Sequence, residues 1–133
     1  MDERIEQFLK DNHAGIMVTT RPDGSAHVAR LYVAIVEGKL VCSGTQTRVR
    51  TKHVRANPRA TFCMVRQDDN YYWLGIEGRV TIHELPDAMP YLLGLRVATG
   101  RTPSDMAEFE RTMWAEKRLV FELTPERVYG QPE

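Results

Sequence analysis

Apolar and polar residues alternate along much of this chain, and the alternation predicts a mainly β protein. Three alternating or β-rich runs, at residues 15–20, 26–36 and 39–42, fall close together near the N-terminus. The segment Arg21-Pro22-Asp23-Gly24 separates the first two and fits a type I turn followed by a left-handed residue. Glu37-Gly38 makes a tight turn before the third. These features predict a three-stranded β-meander.

Three further strands are predicted in the rest of the chain, at residues 59–66, 71–83 and 119–123. Gly75 and Gly78 in the fifth strand indicate a bulge or bend that would curve the sheet. Thr124-Pro125-Glu126 is expected to break the sixth strand. Six strands with few helices at this length favour a small antiparallel barrel.

Four helices are predicted around these strands, at residues 2–11, 46–56, 86–97 and from 102 onward. The second carries few large apolar residues and is expected to be short and exposed, so that its basic side chains are exposed to solvent. Thr102 would cap the fourth helix, with Pro103 at its first position. The helical spacing of three apolar residues predicts a core-facing stripe on this helix: Met106, Phe109 and Met113.

Length and composition favour one domain over residues 1–133, since 42% of the residues are hydrophobic and 27% charged. No apolar run approaches the ~20 residues of a membrane span, and the acidic N-terminus is unlike a secretion signal. Cys42 and Cys63 both lie in strand-like apolar runs, which predicts buried, reduced thiols. We therefore expect a cytoplasmic protein with no membrane partner.

Charge is unevenly distributed, although the formal net charge of the whole chain is zero. Residues 38–67 carry seven basic residues and no carboxylate. Within them, Arg48, Arg50 and Lys52 follow hydroxyl residues and a glycine, a combination that suits a phosphate or another dense anion. A solvated helix face and a nucleic-acid patch are the alternatives. Nucleic acid is disfavoured because no aromatic residue, which would stack on bases, lies between Gly38 and Arg59.

Other catalytic patterns are missing or weak. The four histidines have no zinc-like spacing and neither cysteine has a C-x-x-C partner, so no metal site is expected. No Gly-x-Ser-x-Gly or Walker pattern supports a hydrolase or nucleotidase. His27 and Arg30 on the second strand are weak catalytic candidates for proton handling or substrate orientation. Their alternatives are a barrel histidine and a surface cation, and alternation puts them on opposite faces.

The order and spacing of five motifs resemble the pyridoxamine-phosphate-oxidase-like split β-barrel family, and within it the branch that uses the deazaflavin coenzyme F-420. Each motif alone is weak, but together they extend nearly from end to end of the chain. They lie at residues 17–28, 43–52, 54–60, 76–80 and 118–130.

The resemblance implies a six-stranded antiparallel Greek-key split barrel with flanking helices, which forms a homodimer with two cofactor sites at the subunit interface. The second strand would face the cofactor ring around Val28, Ala29 and Leu31, and Tyr72 or Trp73 would reach the partner's ring. Relatives often have a small residue or proline in place of Arg30. The phosphate-binding segment would comprise Ser43, Thr45, Thr47, Arg48, Arg50 and Lys52.

The function implied is that of an F-420-dependent reductase, which transfers a hydride from reduced deazaflavin to a conjugated electrophile such as an enone, quinone or tetrapyrrole. Solvent, Arg30 and His27 stay open as proton donors. An FMN-dependent oxidase or reductase on the same barrel is the alternative enzyme. A non-catalytic flavin- or deazaflavin-binding protein is the alternative from another class.

Overall fold

Six antiparallel strands close into a barrel in the computed structural model, which describes all 133 residues. Four helices flank the barrel. The predicted mainly β fold with flanking helices is confirmed. The strands are β1 Ala14–Thr20, β2 Ala26–Val36, β3 Lys39–Thr45, β4 Arg59–Val65, β5 Trp73–His83 and β6 Arg118–Gln131, and the helices are α1 Glu3–Asp11, α2 Val49–Ala56, α3 Met89–Ala98 and α4 Met106–Ala115.

The strand order around the barrel is β1-β2-β3-β6-β5-β4, and the pairing of β1 with β4 closes it. The predicted meander of β1, β2 and β3 is confirmed. Its first turn is also as predicted: the Gly24 amide donates to the Arg21 carbonyl at 2.9 Å, and Gly24 has a φ of +88°. After β3 the chain passes through α2 to β4, on the far side of β1, so β3 pairs with β6 instead.

The strand alternation fills the barrel with apolar side chains. Met17, Val33, Phe62 and Phe121 are fully buried in its core, and Leu9 of α1 packs into the same cluster. A second cluster joins α3 and α4 to the neighbouring strands β2, β3 and β6. The two helices thereby form a wall beside the barrel, next to the ends of β2 and β3.

The sixth strand is longer than predicted, and the expected break at Thr124-Pro125-Glu126 is wrong. It continues to Gln131, with a register shift between Glu77 and Gly78 of β5. Pro125 is tolerated because the bulge interrupts the ladder there. A Cβ atom on Gly78 would lie 2.0 Å from the Thr124 carbonyl oxygen, which explains why the predicted bulge in β5 needs glycine.

The second helix is not the exposed segment that the sequence predicted. It begins at Val49, and half of its eight residues are buried, because it packs against β1 and the end of the barrel. The predicted exposed location of Arg50 is wrong for the same reason, since only 7% of this residue is exposed. The buried residues of α2 are Arg50, Thr51, His53 and Val54.

The fourth helix begins later than predicted. Asp105, and not Thr102, is its cap: the Asp105 carboxylate accepts a hydrogen bond from the Glu108 amide at 3.1 Å. Phe109 and Met113 are buried as expected, whereas Met106 is 42% exposed because it occupies the first position of the helix. No helix in the chain combines the length and apolar character needed to cross a membrane.

Both cysteines are free thiols, and Cys42 is fully buried while Cys63 is half-buried. Burial raises the pKa of Cys42 to about 12. The Cys42 thiol therefore stays protonated at neutral pH and acts as a small apolar group in the core.

Candidate functional site

A cavity of about 280 Å³ lies where α2, α3 and α4 meet β2, β3 and β6. Its lining includes six arginines and no carboxylate, and we call it the arginine cavity. Apolar side chains from both helices of the wall, among them Leu92, Leu95 and Met113, form its other side. The six arginines are Arg30, Arg48, Arg50, Arg96, Arg101 and Arg118.

Arg50 is the buried member of this group and fixes the cavity's inner wall. Its guanidinium donates to the Arg30 carbonyl at 2.7 Å and to the Ser43 carbonyl at 2.9 Å, so it ties α2 to β2 and β3. Its Nε is buried and has no hydrogen-bond partner in the protein. Burial lowers the pKa of Arg50, and the positive charges of Arg48 and Arg118 lower it further.

The other cations of the cavity are mostly unpaired. Arg118 bonds to Glu116 at 2.8 Å and donates to the Ser43 hydroxyl at 3.2 Å. None of the other five arginines forms a salt bridge with a carboxylate. A concentration of guanidinium groups without internal counter-ions favours the binding of a phosphate or carboxylate.

Two of the arginines are supported by aromatic rings. The Arg96 guanidinium lies over the Phe109 ring, 5.6 Å from its centroid. The Arg101 guanidinium lies 5.5 Å from the centroid of Tyr32 on β2. Arg101 also donates through Nε to the Thr99 hydroxyl at 3.3 Å. The stacking holds each cation in place while leaving most of its N–H donors free.

The predicted phosphate-binding residues are divided between two places. Ser43, Arg48 and Arg50 line the arginine cavity, whereas Lys52 lines a separate cavity of about 480 Å³ beside the β1–β2 turn. Residues two apart on a helix point about 200° apart, which separates Arg50 from Lys52. Thr47 is exposed. Thr45 is buried and its carbonyl accepts a hydrogen bond from the Thr51 hydroxyl at 2.6 Å.

The predicted ring-binding strand presents two different faces. Leu31 lines the arginine cavity and Ala29 is half-buried, whereas Val28 is 61% exposed on the opposite face. That outer face also carries Arg30 and Tyr32, which both line the cavity. Tyr32, 46% exposed, was not predicted as a site residue. An apolar and cationic strip therefore leads from the cavity along β2.

Tyr72 lies far from this strip within a single chain. It immediately precedes β5, which two strands separate from β2 in either direction around the barrel. The Arg66 guanidinium lies 4.6 Å from the Tyr72 ring centroid. Within one chain, Tyr72 is therefore not part of the arginine cavity.

His27 does not line the arginine cavity but faces a second histidine. Its ring centroid is 5.0 Å from that of His53, which is hydrogen-bonded through Nδ1 to the Thr19 hydroxyl at 2.9 Å. The Nδ1 of His27 is buried without a partner. Burial lowers the pKa of His27, and the neighbouring His53 and Arg21 lower it further. His27 is therefore neutral at pH 7.

Half of the cavity's arginines were not predicted as site residues from the sequence. Arg96, Arg101 and Arg118 lie outside the basic segment, and only Arg118 has a basic neighbour, Lys117. No local pattern reveals that α3 packs on β2 and β3, which brings Arg96 and Arg101 to the cavity. Nor does one reveal that β6 pairs with β3, which brings Arg118 opposite Thr45. The sequence carried two signals of this site: the basic segment at residues 38–67, and the resemblance that placed residues 28–31 of the second strand near the cofactor.

Comparisons with known proteins agree with this architecture. The chain is similar to a conserved hypothetical protein of Mycobacterium tuberculosis, at 20% identity and a TM-score of 0.81, covering 96% of this chain and 82% of that one. It is similar to an F-420 reductase at 24% identity and a TM-score of 0.73, covering 95% and 96%. A pyridoxamine 5'-phosphate oxidase-related, FMN-binding protein of Nostoc punctiforme matches at 16% identity and a TM-score of 0.65, covering 93% and 79%. These likenesses establish a shared fold.

The sequence itself matches the family described as "Pyridoxamine 5'-phosphate oxidase" over residues 1–132. The match extends from the first helix to the end of β6, and the six-stranded barrel is the fold that the resemblance implied. This chain therefore belongs to the pyridoxamine 5'-phosphate oxidase family.

Proposed function

We propose that the chain is an oxidoreductase with a flavin-type cofactor, and that the arginine cavity binds the cofactor's phosphate. The observation that carries the proposal is the presence of five arginines without carboxylate partners in one cavity. A phosphate monoester, as in FMN, carries a charge of about −1.5 to −2 at pH 7, a phosphodiester carries about −1, and either accepts several charge-assisted hydrogen bonds. Arg48, the Ser43 hydroxyl and the free donors around Arg50 suit it.

The dimensions of the cavity agree with partial burial of such a cofactor. Its volume of about 280 Å³ is just below the range of about 300 to 1,000 Å³ that is common for complete ligand sites. The cavity therefore suits the phosphate-bearing part of the cofactor. The ring would lie outside it, along the exposed strip of β2 that carries Val28, Arg30 and Tyr32.

This arrangement supports a homodimer. A ring on the outer face of β2 would be open to water on its other side, and Val28 and Tyr32 are already exposed apolar groups there. A second copy of the chain would cover the ring and exclude water from it. The same arrangement would allow Tyr72 of the partner subunit to contact the ring.

The chain's own groups would bind and orient the reactants. When bound, the cofactor supplies a hydride to a conjugated electrophile such as an enone, quinone or tetrapyrrole. Arg30 lies beside the cavity without a carboxylate partner, so its guanidinium is free to stabilise negative charge on the ring or substrate. Leu92, Leu95 and Met113 supply an apolar wall for the substrate.

Coenzyme F-420 is our preferred cofactor, and FMN is the second candidate. The F-420 reductase among the structural neighbours supports the first, and the FMN-binding neighbour supports the second. Both cofactors contain one phosphate, but coenzyme F-420 carries a longer anionic tail. The seven cations of residues 38–67, which include neither Arg96 nor Arg101, favour that longer ligand.

Separate titrations of the apoprotein with coenzyme F-420 and FMN, followed by cofactor fluorescence quenching, test the proposal. We expect saturable quenching with coenzyme F-420 and weaker binding of FMN. Oxidation of the reduced cofactor by a quinone such as menadione then tests for enzyme activity. Binding without turnover on any acceptor would favour a cofactor-binding protein. No saturation by either cofactor up to about 1 mM, equivalent to about −4 kcal/mol, would refute the cofactor proposal.

A further inference from the structure

The arginine cavity holds more positive charge than one phosphate neutralises. Five of its arginines lack a carboxylate partner, whereas a phosphate monoester contributes at most about two negative charges. Roughly three cations therefore stay available for another anion. These cations need not bind one anion together, because Arg30 lies on β2, whereas Arg96 lies on α3 and Arg101 just after it.

Arg96 and Arg101 form the group on the helical side. Arg96 lies in the last turn of α3, and Arg101 follows three residues after the helix ends, with its amide donating to the Arg96 carbonyl at 2.8 Å. Both guanidinium groups stack on rings, on Phe109 and Tyr32 respectively. A stacked guanidinium still presents its edge donors, and that edge matches the two oxygens of a carboxylate.

An apolar surface adjoins these two cations. Leu92 and Leu95 of α3 and Met113 of α4 line the same cavity as Arg96 and Arg101. A ligand in this part of the cavity would meet hydrocarbon on one side and two guanidinium groups on the other. Such a surface is suited to an amphipathic molecule, with a carboxylate attached to an apolar body.

We propose that Arg96 and Arg101 form a carboxylate subsite for the substrate, so that the conjugated substrate of this protein carries a carboxylate group. The assignment rests on the proposed function, because the cofactor phosphate occupies the Arg48 and Arg50 side of the cavity. Arg101 stacks on Tyr32, on the same strip of β2 where the cofactor ring would lie. A substrate held by Arg101 would therefore be close to the ring.

Two other uses of these arginines compete with this assignment. Arg96 also borders a neighbouring cavity with Asp105 and Glu108, although it forms a salt bridge with neither. If Arg96 instead serves these two carboxylates, its only role would be to keep α4 in place. The second use is to bind the anionic tail of the cofactor, so that substrates would not touch this pair.

The test compares trans-cinnamate with cinnamamide, a neutral molecule of the same shape. Their dissociation constants are measured by calorimetry on the apoprotein and on the cofactor-loaded protein. The variants are Arg96→Met and Arg101→Met, alone and combined, and Arg111→Met is the matched control on the exposed face of α4. Circular dichroism checks that each variant is folded, and the single variants serve if the double variant is not.

We expect the wild type to bind cinnamate at least about tenfold more tightly than cinnamamide, equivalent to 1.4 kcal/mol. The double variant should reduce that ratio to within about twofold of one, each single variant should reduce it in part, and Arg111→Met should preserve it. A wild-type ratio near one, or a ratio that the double variant leaves unchanged, would overturn the proposal.

Cofactor affinity measured on the same samples separates the two sources of the anion. An unchanged ratio with cofactor affinity reduced at least about fivefold in the double variant would assign the pair to the cofactor tail and overturn the substrate assignment. If neither cofactor binds the wild type, the proposed function fails by itself. The cinnamate ratio on the apoprotein then still decides whether the carboxylate subsite exists.

Discussion

Replacement of Arg50 by methionine should destabilise the protein, even without any cofactor. The change removes two charge-assisted hydrogen bonds, to the carbonyls of Arg30 and Ser43. Bonds to charged groups contribute about 1.5 to 3 kcal/mol each. Relief of the cost of burying the guanidinium offsets part of this loss. We therefore expect the free energy of unfolding to fall by about 2 to 4 kcal/mol.

Urea unfolding followed by circular dichroism measures this effect. With a slope of about 1.5 kcal/mol per molar urea, the midpoint should fall by about 1.3 to 2.7 M. Arg50→Lys keeps the charge but loses the planar fork, so its midpoint should lie between those of the wild type and Arg50→Met. All samples need the same protein concentration, because a dimer's midpoint depends on it.

Lys52→Met is the matched control for Arg50→Met. Lys52 is exposed and two positions along the same helix, so its replacement should change stability by less than about 0.5 kcal/mol. Midpoints for Arg50→Met and Lys52→Met that agree within about 0.3 M would refute the reasoning. The inner wall of the arginine cavity would then not depend on Arg50.

Three further predictions concern other parts of the molecule. Because the pKa of His27 is lowered in the folded protein, the unfolded chain binds a proton more readily, and the free energy of unfolding should rise with pH up to about 6.5. In urea midpoints measured between about pH 5 and 7.5, His27→Gln should flatten that rise. Gly78→Ala forces a Cβ against the Thr124 carbonyl and should destabilise by at least about 2 kcal/mol, against under about 0.5 kcal/mol for the exposed control Thr81→Ala. Light scattering should give about twice the 15.3 kDa chain mass, and a monomer that binds cofactor tightly would contradict the shared site.

The sequence predicted the barrel because strand signals are local. Alternation and turn residues located the six strands, with the first five starting and ending within about three residues of the observed bounds. The sixth strand was predicted to end too early, because a proline usually ends a strand. Only the pairing of Pro125 with Gly78 shows that a bulge accommodates the proline. Bulges depend on two strands at once, so one segment cannot reveal them.

The candidate site was only partly visible in the sequence, because it depends on packing between distant segments. The basic run located Ser43, Arg48 and Arg50, but their burial and orientation follow from the position of α2 on the barrel. Lys52 was grouped with them by proximity along the chain, although the helix turns it toward another cavity. Arg96 and Arg101 join the site only through the packing of α3.

The affinity of an Arg48→Met variant for coenzyme F-420 tests the central claim most directly. Arg48 lines the arginine cavity, is exposed and makes no side-chain hydrogen bond, so its loss should leave the fold intact. Removing one charge-assisted contact to phosphate should weaken binding by about 1 to 3 kcal/mol, or about 5- to 150-fold. The exposed Arg79→Met on β5 should bind like the wild type. Equal affinities for both variants and the wild type would contradict the claim that this cavity holds the cofactor phosphate.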